Sequence, residues 1–238
     1  MKNIKDDQGN NQIWGDSYAT RIRAQRRCEM FAAEISGQNN RILEIGCGIG
    51  KNAYCIAQKT NNQVLGTDIC LPFIEHAKKE YKLPNLAFEV TDFNDPEQIS
   101  GRKFDYIIGN GILHHLYYHL DAVLNKFKEL LSENGRIVFI EPNLYNPYIA
   151  LIFKIPFLRK KTHLEPDEMA FSKSFIYKKL MNAGFSDVKV KYKDFLLPGI
   201  PKLLVKPSII IGNLAEKIPL VKNLSQSIFI KATYHTTN

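Results

Sequence analysis

Three glycines at alternating positions are the feature of this sequence best suited to bind a ligand. Gly46, Gly48 and Gly50 directly follow the apolar residues 42–45, which indicate a short buried strand. Glycines at such a point let the backbone turn sharply, and they let a ligand approach main-chain atoms that a Cβ would screen. A turn of this kind at the carboxyl end of a parallel strand is typical of a site for a nucleotide-type cofactor.

Acidic and aromatic side chains end the next two predicted strands. Asp68 ends the second strand, where dinucleotide folds use an acid to accept hydrogen bonds from ribose hydroxyls. Asp92 and Phe93 end the third strand, where an acid can bond the amino group of adenine and a ring can stack on its face. Alternatively, Asp68 could cap a helix and Asp92 could cap a turn.

Alternating strand and helix patterns predict the elements that must position these residues. Strands are predicted over residues 41–46, 63–68, 86–91, 104–110, 136–141, 187–192 and 227–234. Helices are predicted over residues 16–36, 52–60, 72–81, 119–132 and 173–183, with a short turn near 96–100. Strands separated by helices predict a parallel sheet with helices on both faces. No clear helix separates the last two strands, so we expect the last strand to be antiparallel.

The expected architecture is an α/β fold with a doubly wound, mostly parallel seven-stranded sheet. The 238 residues, 45% of them hydrophobic, suffice for one core and predict a single domain over residues 1–238. Residues 37–143 would form the cofactor-binding core. The apolar segments 142–172 and 194–226 exceed what the sheet needs. Long connections are usually lids or binding loops, so we expect these two insertions to form a cap.

Composition bears on the cellular compartment of the protein and on its possible partners. The four cysteines, Cys28, Cys47, Cys55 and Cys70, include no Cys-x-x-Cys pair, which favours reduced thiols in a cytoplasmic protein. The first residues lack the apolar core of a signal peptide, and no apolar run is long enough for an ordinary spanning helix. The net charge of +8 leaves nucleic acid, an anionic membrane or an acidic substrate open as partners. We predict no metal site.

Taken together, the glycine run, Asp68, the Asp92-Phe93 pair and the segment Asn110-Gly111-Ile112-Leu113-His114-His115 resemble a known family. They are similar to the Rossmann-like (class I) S-adenosylmethionine-dependent methyltransferases. The resemblance covers about residues 14–143 and is closest to the branch that acts on small molecules and lipids, which includes the quinone-biosynthesis methyltransferases. It implies that the cofactor is S-adenosylmethionine and that the product is S-adenosylhomocysteine.

The resemblance also implies a role for each residue of the cofactor site. The amino-acid part of the cofactor would lie on Glu44 and the loop that carries the three glycines and Cys47. The adenosine part would contact Asp68, Ile69, Asp92 and Phe93. After the fourth strand, Asn110 and Gly111 would bind the methionine ammonium, and His115 would lie near the sulfonium. The aromatic residues Trp14 and Tyr18 would close over the cofactor, or they could simply pack on the sheet.

Three residues are the candidates for chemistry on the methyl acceptor. His115 is the first candidate for a base or an orienting group, because histidine titrates near neutral pH. The other two are His114, beside it, and Glu141, at the end of the fifth predicted strand. A base is required only if the acceptor is a neutral hydroxyl or a protonated amine. The histidines could also merely pack on the cofactor, and Glu141 could pair structurally with Arg or Lys.

Motifs that are missing lower the rank of several alternatives. The dinucleotide pattern Gly-x-Gly-x-x-Gly would place its third glycine at position 51, which is Lys51, so NAD is disfavoured. The segment after Asn110 is not the Pro-Pro motif of enzymes that methylate bases in DNA. Nucleic acid is therefore a disfavoured partner, although RNA stays open.

The composition of the two insertions indicates which class of methyl acceptor to expect. Both combine large apolar residues with Lys and Arg, as in the cluster Arg159-Lys160-Lys161. That composition suits an anionic membrane surface, a greasy acceptor pocket with a basic rim, or packing against the sheet or a second subunit in a homodimer. We predict methyl transfer to an O, N or C atom of a small or lipid-linked acceptor, with a peripheral place at the inner face of the membrane. A non-catalytic cofactor-binding module and an RNA methyltransferase are the alternatives.

Overall fold

The fold was analysed on a computed structural model, which describes residues 17–93, 99–162, 164 and 168–235. The predicted turn near 96–100 lies largely outside these residues, and so does Trp14.

Helices and strands alternate through most of the chain. The helices are α1 (Tyr18–Glu34), α2 (Lys51–Lys59), α3 (Leu71–Glu80), α4 (Leu120–Leu130), α5 (Pro147–Lys154), α6 (Pro156–Lys161), α7 (Lys173–Asn182) and α8 (Lys202–Ala215). The strands are β1 (Arg41–Ile45), β2 (Gln63–Asp68), β3 (Leu86–Val90), β4 (Phe104–Asn110), β5 (Leu131–Pro142), β6 (Ser186–Lys193) and β7 (Ser227–Thr233). Short 3₁₀ helices cover Leu113–His119 and Val221–Leu224.

The seven strands form one sheet in the order β3-β2-β1-β4-β5-β7-β6. The first five strands pair in parallel, and β7 pairs antiparallel with both β5 and β6. The predicted mostly parallel α/β sheet with an antiparallel last strand is therefore confirmed. Strand order reverses between β1 and β4, and a crevice opens beyond the carboxyl ends of the strands at such a point.

Helices cover both faces of the sheet, so its central strands are apolar on both sides. Four of the five residues of β1 are buried. One face packs on α4 and α7, with Phe127 and Leu180 fully buried, and the other packs on α1, α2 and α3, with Phe31 and Ile56 fully buried. Burial of this kind is the main favourable term in folding.

Strand β5 begins at Leu131, earlier than the predicted strand over 136–141. Leu131 pairs with Phe104, and the register then shifts before Arg136 pairs with Tyr106. The irregular pairing hides the start of this strand from a pattern of simple alternation.

The expectation that all four cysteines are reduced thiols is wrong. A disulfide joins Cys28 of α1 to Cys55 of α2, whose Cα atoms are 6.3 Å apart. Cys47 and Cys70 are buried free thiols. The bond was not predictable from spacing, because the packing of α1 against α2 brings the two residues together.

The second insertion packs on the first helix. Val205 of α8 is buried with Ala19 of α1 and with Leu196, and Tyr18 and Ile22 pack against the same cluster. None of the helices in the described part of the chain combines the length and apolarity that crossing a bilayer requires.

Candidate functional site

The glycine loop follows β1 at the point where strand order reverses. Gly46, Gly48 and Gly50 all have positive φ, at 60°, 52° and 78°. A Cβ on Gly46 would lie 2.5 Å from the Cδ1 atom of Ile112, so this glycine permits close packing on the segment after β4. A Cβ on Gly48 would meet no atom within 4 Å, so this side of the loop is open to a ligand.

The side chain of Asp68, the last residue of β2, is hydrogen-bonded to the glycine loop. One carboxylate oxygen accepts a hydrogen bond from the Gly48 N–H at 2.8 Å, and the other accepts from the Cys70 N–H at 2.9 Å. The N-cap of α3 is Cys70, so Asp68 supports the start of that helix without being its cap. Ile69, beside it, is 61% exposed, which leaves an apolar side chain available to pack on an adenine.

Glu44 is buried on the α2 side of β1. Its Oε1 atom accepts a hydrogen bond from Asn52 at 2.7 Å, whereas its buried Oε2 atom has no hydrogen-bond partner among the described residues. Burial raises the pKa of Glu44 from its usual 4.5 to about 8, and the Asn52 hydrogen bond opposes that shift. Burial also raises the pKa of the Cys47 thiol, with Glu44 as the next cause.

The remaining adenosine candidates lie at or near the carboxyl edge. Asp92 is exposed just beyond β3, and the ring of Phe93 packs edge-on against Phe127 at 5.5 Å. Tyr18 packs on the second insertion, where Lys202 lies 5.3 Å from the centre of its ring. Tyr18 thus contacts the second insertion rather than the sheet, and its closure over the cofactor stays a prediction.

Asn110 ends β4 and is held by Arg27 of α1. The Arg27 guanidinium donates to the Asn110 Oδ1 atom at 2.7 Å and to Ser227 Oγ at 2.7 Å. Its Nε atom lies 3.5 Å from the carboxylate of Asp194, which also accepts from Arg23 at 3.0 Å. Because Arg27 occupies the side-chain oxygen of Asn110, the backbone carbonyl is the better acceptor for a methionine ammonium.

Burial lowers the pKa of Arg27 to about 9, with the charge of Arg23 as the next cause and Asp194 opposing both. The sequence showed Arg27 only as one of several basic residues in a predicted helix. It contained no signal that this side chain reaches the end of β4.

Glu141 fixes the segment that follows Asn110. This side chain is 1% exposed. Its oxygens accept from the backbone N–H groups of Ile112 at 3.0 Å, Leu113 at 2.8 Å and His114 at 3.3 Å. It also lies 2.9 Å from Nδ1 of the His114 ring. The basic side chain that Glu141 contacts is thus a histidine, whereas the structural alternative predicted Arg or Lys.

Glu168, in the first insertion, contacts both predicted histidines and was not indicated by the sequence. Its Oε1 atom lies 3.0 Å from Nδ1 of His115, and its Oε2 atom lies 3.8 Å from Nε2 of His114. The Glu168 side chain is 4% exposed and that of His115 is 41% exposed. The structure thus brings both predicted histidines to one cluster of carboxylates.

The loop and the histidine cluster are neighbours. Ile112, which fills the space beside Gly46, lies two residues before His114 in the same segment. The carboxylate of Asp68, the exposed Ile69 and the buried Glu44 oxygen suit the hydroxyls, the ring and the ammonium of an amino-acid nucleoside, and the space beside Gly48 is open. Two imidazoles beside this cradle can orient an acceptor and take its proton.

Comparisons with known proteins agree with this geometry. Residues 36–195 match the family model described as "Methyltransferase domain". Aklanonic acid methyltransferase DauC from Streptomyces sp. (strain C5) is 33% identical over 124 residues, which are 49% of this chain and 54% of that protein. Polyketide synthase PksR from Bacillus subtilis (strain 168) is 27% identical over 124 residues, which are 48% of this chain and 5% of that protein. The chain thus spans about half the length of the first relative and a small part of the second.

A solved structure shares the fold over almost the whole chain. It is a SAM dependent methyltransferase from Archaeoglobus fulgidus, which superposes with a TM-score of 0.64 at 17% identity and covers 90% of this chain and 94% of that chain. At this identity the likeness shows the fold alone.

Replacing Asp68 should weaken cofactor binding. Asp68→Ala removes a charged acceptor from the loop, and we expect S-adenosylhomocysteine to bind at least about tenfold more weakly, which is about 1.4 kcal/mol. Titration calorimetry measures this. The matched control is Asp105→Ala, because Asp105 also accepts a backbone N–H, from Arg41 at 2.8 Å, but at the amino end of the strands. Equal affinity in wild type and Asp68→Ala would remove Asp68 from the site.

Glu44 should make stability fall as pH rises. Its folded pKa of about 8 is above the usual 4.5, so the folded chain holds a proton that the unfolded chain loses between these values. The free energy of unfolding should therefore decline from about pH 5 to about pH 8. Urea unfolding of Glu44→Gln should lack this decline, whereas Glu29→Gln on α1 should keep it. A decline that survives in Glu44→Gln would assign it to another group.

Proposed function

This chain belongs to the methyltransferase-domain family, and from that premise we propose that it transfers the methyl group of S-adenosylmethionine to a small organic molecule. The observation that carries the proposal is the cluster of His114, His115, Glu141 and Glu168, whose histidines follow Ile112 in the segment that packs on the glycine loop. The loop would hold the cofactor, and the cluster would face the acceptor.

Methyl transfer requires the protein to orient the acceptor more than to activate the methyl group. A methyl sulfonium is already an electrophile, so the protein must align a nucleophile with the S–CH₃ bond and exclude water. An acceptor hydroxyl or an acidic carbon must also lose a proton, and His115 lies half-exposed where it can take one. His114 is less free to move, because Glu141 holds its ring and its backbone N–H.

The names of two relatives favour a polyketide-like acceptor. The Streptomyces relative is named for aklanonic acid and the Bacillus relative is a polyketide synthase. We therefore propose an acceptor with a phenolic, enolic or carboxylic oxygen or an adjacent acidic carbon. Such acceptors ionise readily, which suits a site that offers imidazole as its base.

Methyl transfer tests the proposal. The purified chain is incubated with labelled S-adenosylmethionine and a panel of phenols, β-keto esters and polyketide-like acids. We expect transfer to at least one class, and we expect His115→Ala to lower kcat by about a hundredfold if His115 takes the proton. The control is His119→Ala, because His119 is exposed at the end of the same 3₁₀ helix.

Two results would contradict this function. Saturable binding of S-adenosylhomocysteine without transfer to any compound in a metabolite and lipid extract would favour a non-catalytic module. Transfer to RNA, with steeply salt-dependent RNA binding, would favour the RNA methyltransferase.

We also propose that the second insertion docks on an anionic membrane surface. Its helix α8 buries Val205, Gly212 and Ala215, but its other side is apolar and exposed. The exposed apolar residues of this insertion include Leu203, Leu204, Ile210, Ile211, Leu214 and Leu220. Soluble chains seldom expose such a stripe without a partner. Lys206 and Lys217 are exposed beside it, which favours anionic headgroups over an apolar protein face.

The first insertion contributes less to this surface than its sequence predicted. The guanidinium of Arg159 donates to the carbonyls of Phe153 at 3.0 Å and Glu168 at 3.1 Å, so it serves the fold. Lys160 and Lys161 are exposed on α6, where Phe157 is 72% exposed.

Vesicle sedimentation tests the membrane proposal. We expect wild type to sediment with phosphatidylserine-containing vesicles and to do so at least about tenfold more weakly after Lys206→Ser and Lys217→Ser, because each basic residue near the surface contributes about 1 kcal/mol. A matched loss of charge on α3, Lys78→Ser and Lys79→Ser, should change sedimentation little, because α3 precedes β3 at the opposite edge of the sheet from β6. A wild-type chain that ignores vesicles and forms a dimer dissociated by Leu203→Ser and Ile211→Ser would instead make this face a subunit interface.

A further inference from the structure

His114, His115 and Glu168 present three potential metal-ligand atoms to one point. The atoms, one from each residue, all lie within 4.8 Å of one another. His115 Nδ1 and Glu168 Oε1 are 3.0 Å apart, which is the separation of neighbouring ligands at about 90° on an octahedral ion with bonds of about 2.1 Å. His114 Nε2 and Glu168 Oε2 are 3.8 Å apart.

The outer side of His114 is built as metal-binding histidines are. Its Nδ1 atom lies 2.9 Å from the carboxylate of Glu141, which leaves Nε2 as the nitrogen that points toward Glu168. Histidines that bind metals nearly always donate their other ring N–H to a carboxylate or a carbonyl, which fixes the tautomer and raises the basicity of the ligand nitrogen. Glu141 is itself oriented by backbone N–H groups.

Glu168 is buried and is held in place by hydrogen bonds of its backbone and of the next residue. Its side chain is 4% exposed, and its backbone carbonyl accepts from Nη1 and Nη2 of Arg159, both at 3.1 Å. The next residue, Met169, donates its N–H to the carbonyl of His114 at 3.1 Å. The backbone therefore holds the carboxylate of one segment against the histidines of another.

We propose that His114, His115 and Glu168 bind one divalent transition-metal ion. Two imidazole nitrogens and one carboxylate suit zinc, manganese, iron or cobalt, and not calcium, which takes six to eight oxygen ligands. The half-exposed His115 leaves the remaining coordination positions open toward the acceptor side. A bound dication also balances the two carboxylates of Glu168 and Glu141, which the histidines alone balance only when both are protonated.

This inference rests on the proposed function and refines it. With a metal ion in place, the acceptor oxygen binds the ion and its O–H bond breaks, with the proton passing to solvent. The oxygen then forms a bond to the methyl carbon as the S–CH₃ bond breaks, and S-adenosylhomocysteine leaves as a neutral thioether. The metal ion, rather than an imidazole, would then promote the loss of the acceptor's proton. This predicts an acceptor that presents oxygen.

Cobalt binding tests the site without reference to activity. The chain is dialysed against a chelator and titrated with Co²⁺, whose visible absorption reports nitrogen and oxygen ligation. We expect one ion per chain and at least about tenfold weaker binding in Glu168→Gln and in His115→Ala. His119→Ala is the matched control and should bind as wild type does. The affinity should fall at acidic pH, because protons compete for the imidazoles.

The outcomes separate this inference from the proposed function. Wild type that binds no Co²⁺ or Zn²⁺ stoichiometrically, or Glu168→Gln that binds as wild type does, overturns the metal site. Methyl transfer unaffected by a chelator would then leave the function standing with an imidazole base. Stoichiometric Co²⁺ binding without methyl transfer to any acceptor would leave the metal site standing and overturn the function. Thermal melts of both variants show whether any loss of binding comes from unfolding.

Discussion

One buried carboxylate sets the geometry on which the rest of the site depends. Glu141 is the last residue but one of β5, and it accepts three consecutive backbone N–H groups at the start of the segment that follows β4. A buried charge is tolerated only when its oxygens are hydrogen-bonded, so the segment cannot shift without leaving this carboxylate unsatisfied. The segment carries Ile112 against Gly46 and His114 toward Glu168. The cofactor side and the acceptor side are therefore both aligned to β5.

A second network joins the amino-terminal helix to the sheet. Arg27 contacts the side chains of Asn110 and Ser227, and it shares Asp194 with Arg23. Four parts of the chain meet at this guanidinium: α1, β4, β7 and the start of the second insertion. The disulfide between Cys28 and Cys55 ties the same helix to α2. The position of α1 is thus coupled to the end of β4, where the methionine end of a cofactor would lie.

The two insertions serve different purposes. The first turns inward, because it supplies Glu168 to the histidines and uses Arg159 to hold that residue in place. The second buries one side of α8 on α1 and leaves the other side apolar and exposed. The sequence predicted that both insertions form one apolar cap. Their difference arises from which residues face the sheet, and that depends on the packing of each helix.

The sequence by itself determined the family, the order of the seven strands and the glycine loop, but not the helices α5, α6 and α8 of the two insertions. These depend on short-range signals: alternation of apolar residues along strands, helical periodicity, and glycines at a sharp turn. It also indicated His114, His115 and Glu141, but not what each contacts. Only the tertiary structure decided that Glu168 faces the histidines, that Arg27 holds Asn110 and that Cys28 meets Cys55. Those partners are far apart in the chain, 83 residues in the case of Arg27 and Asn110. Long-range contacts of this kind follow from how helices and insertions pack on the sheet, which no local pattern of residues encodes.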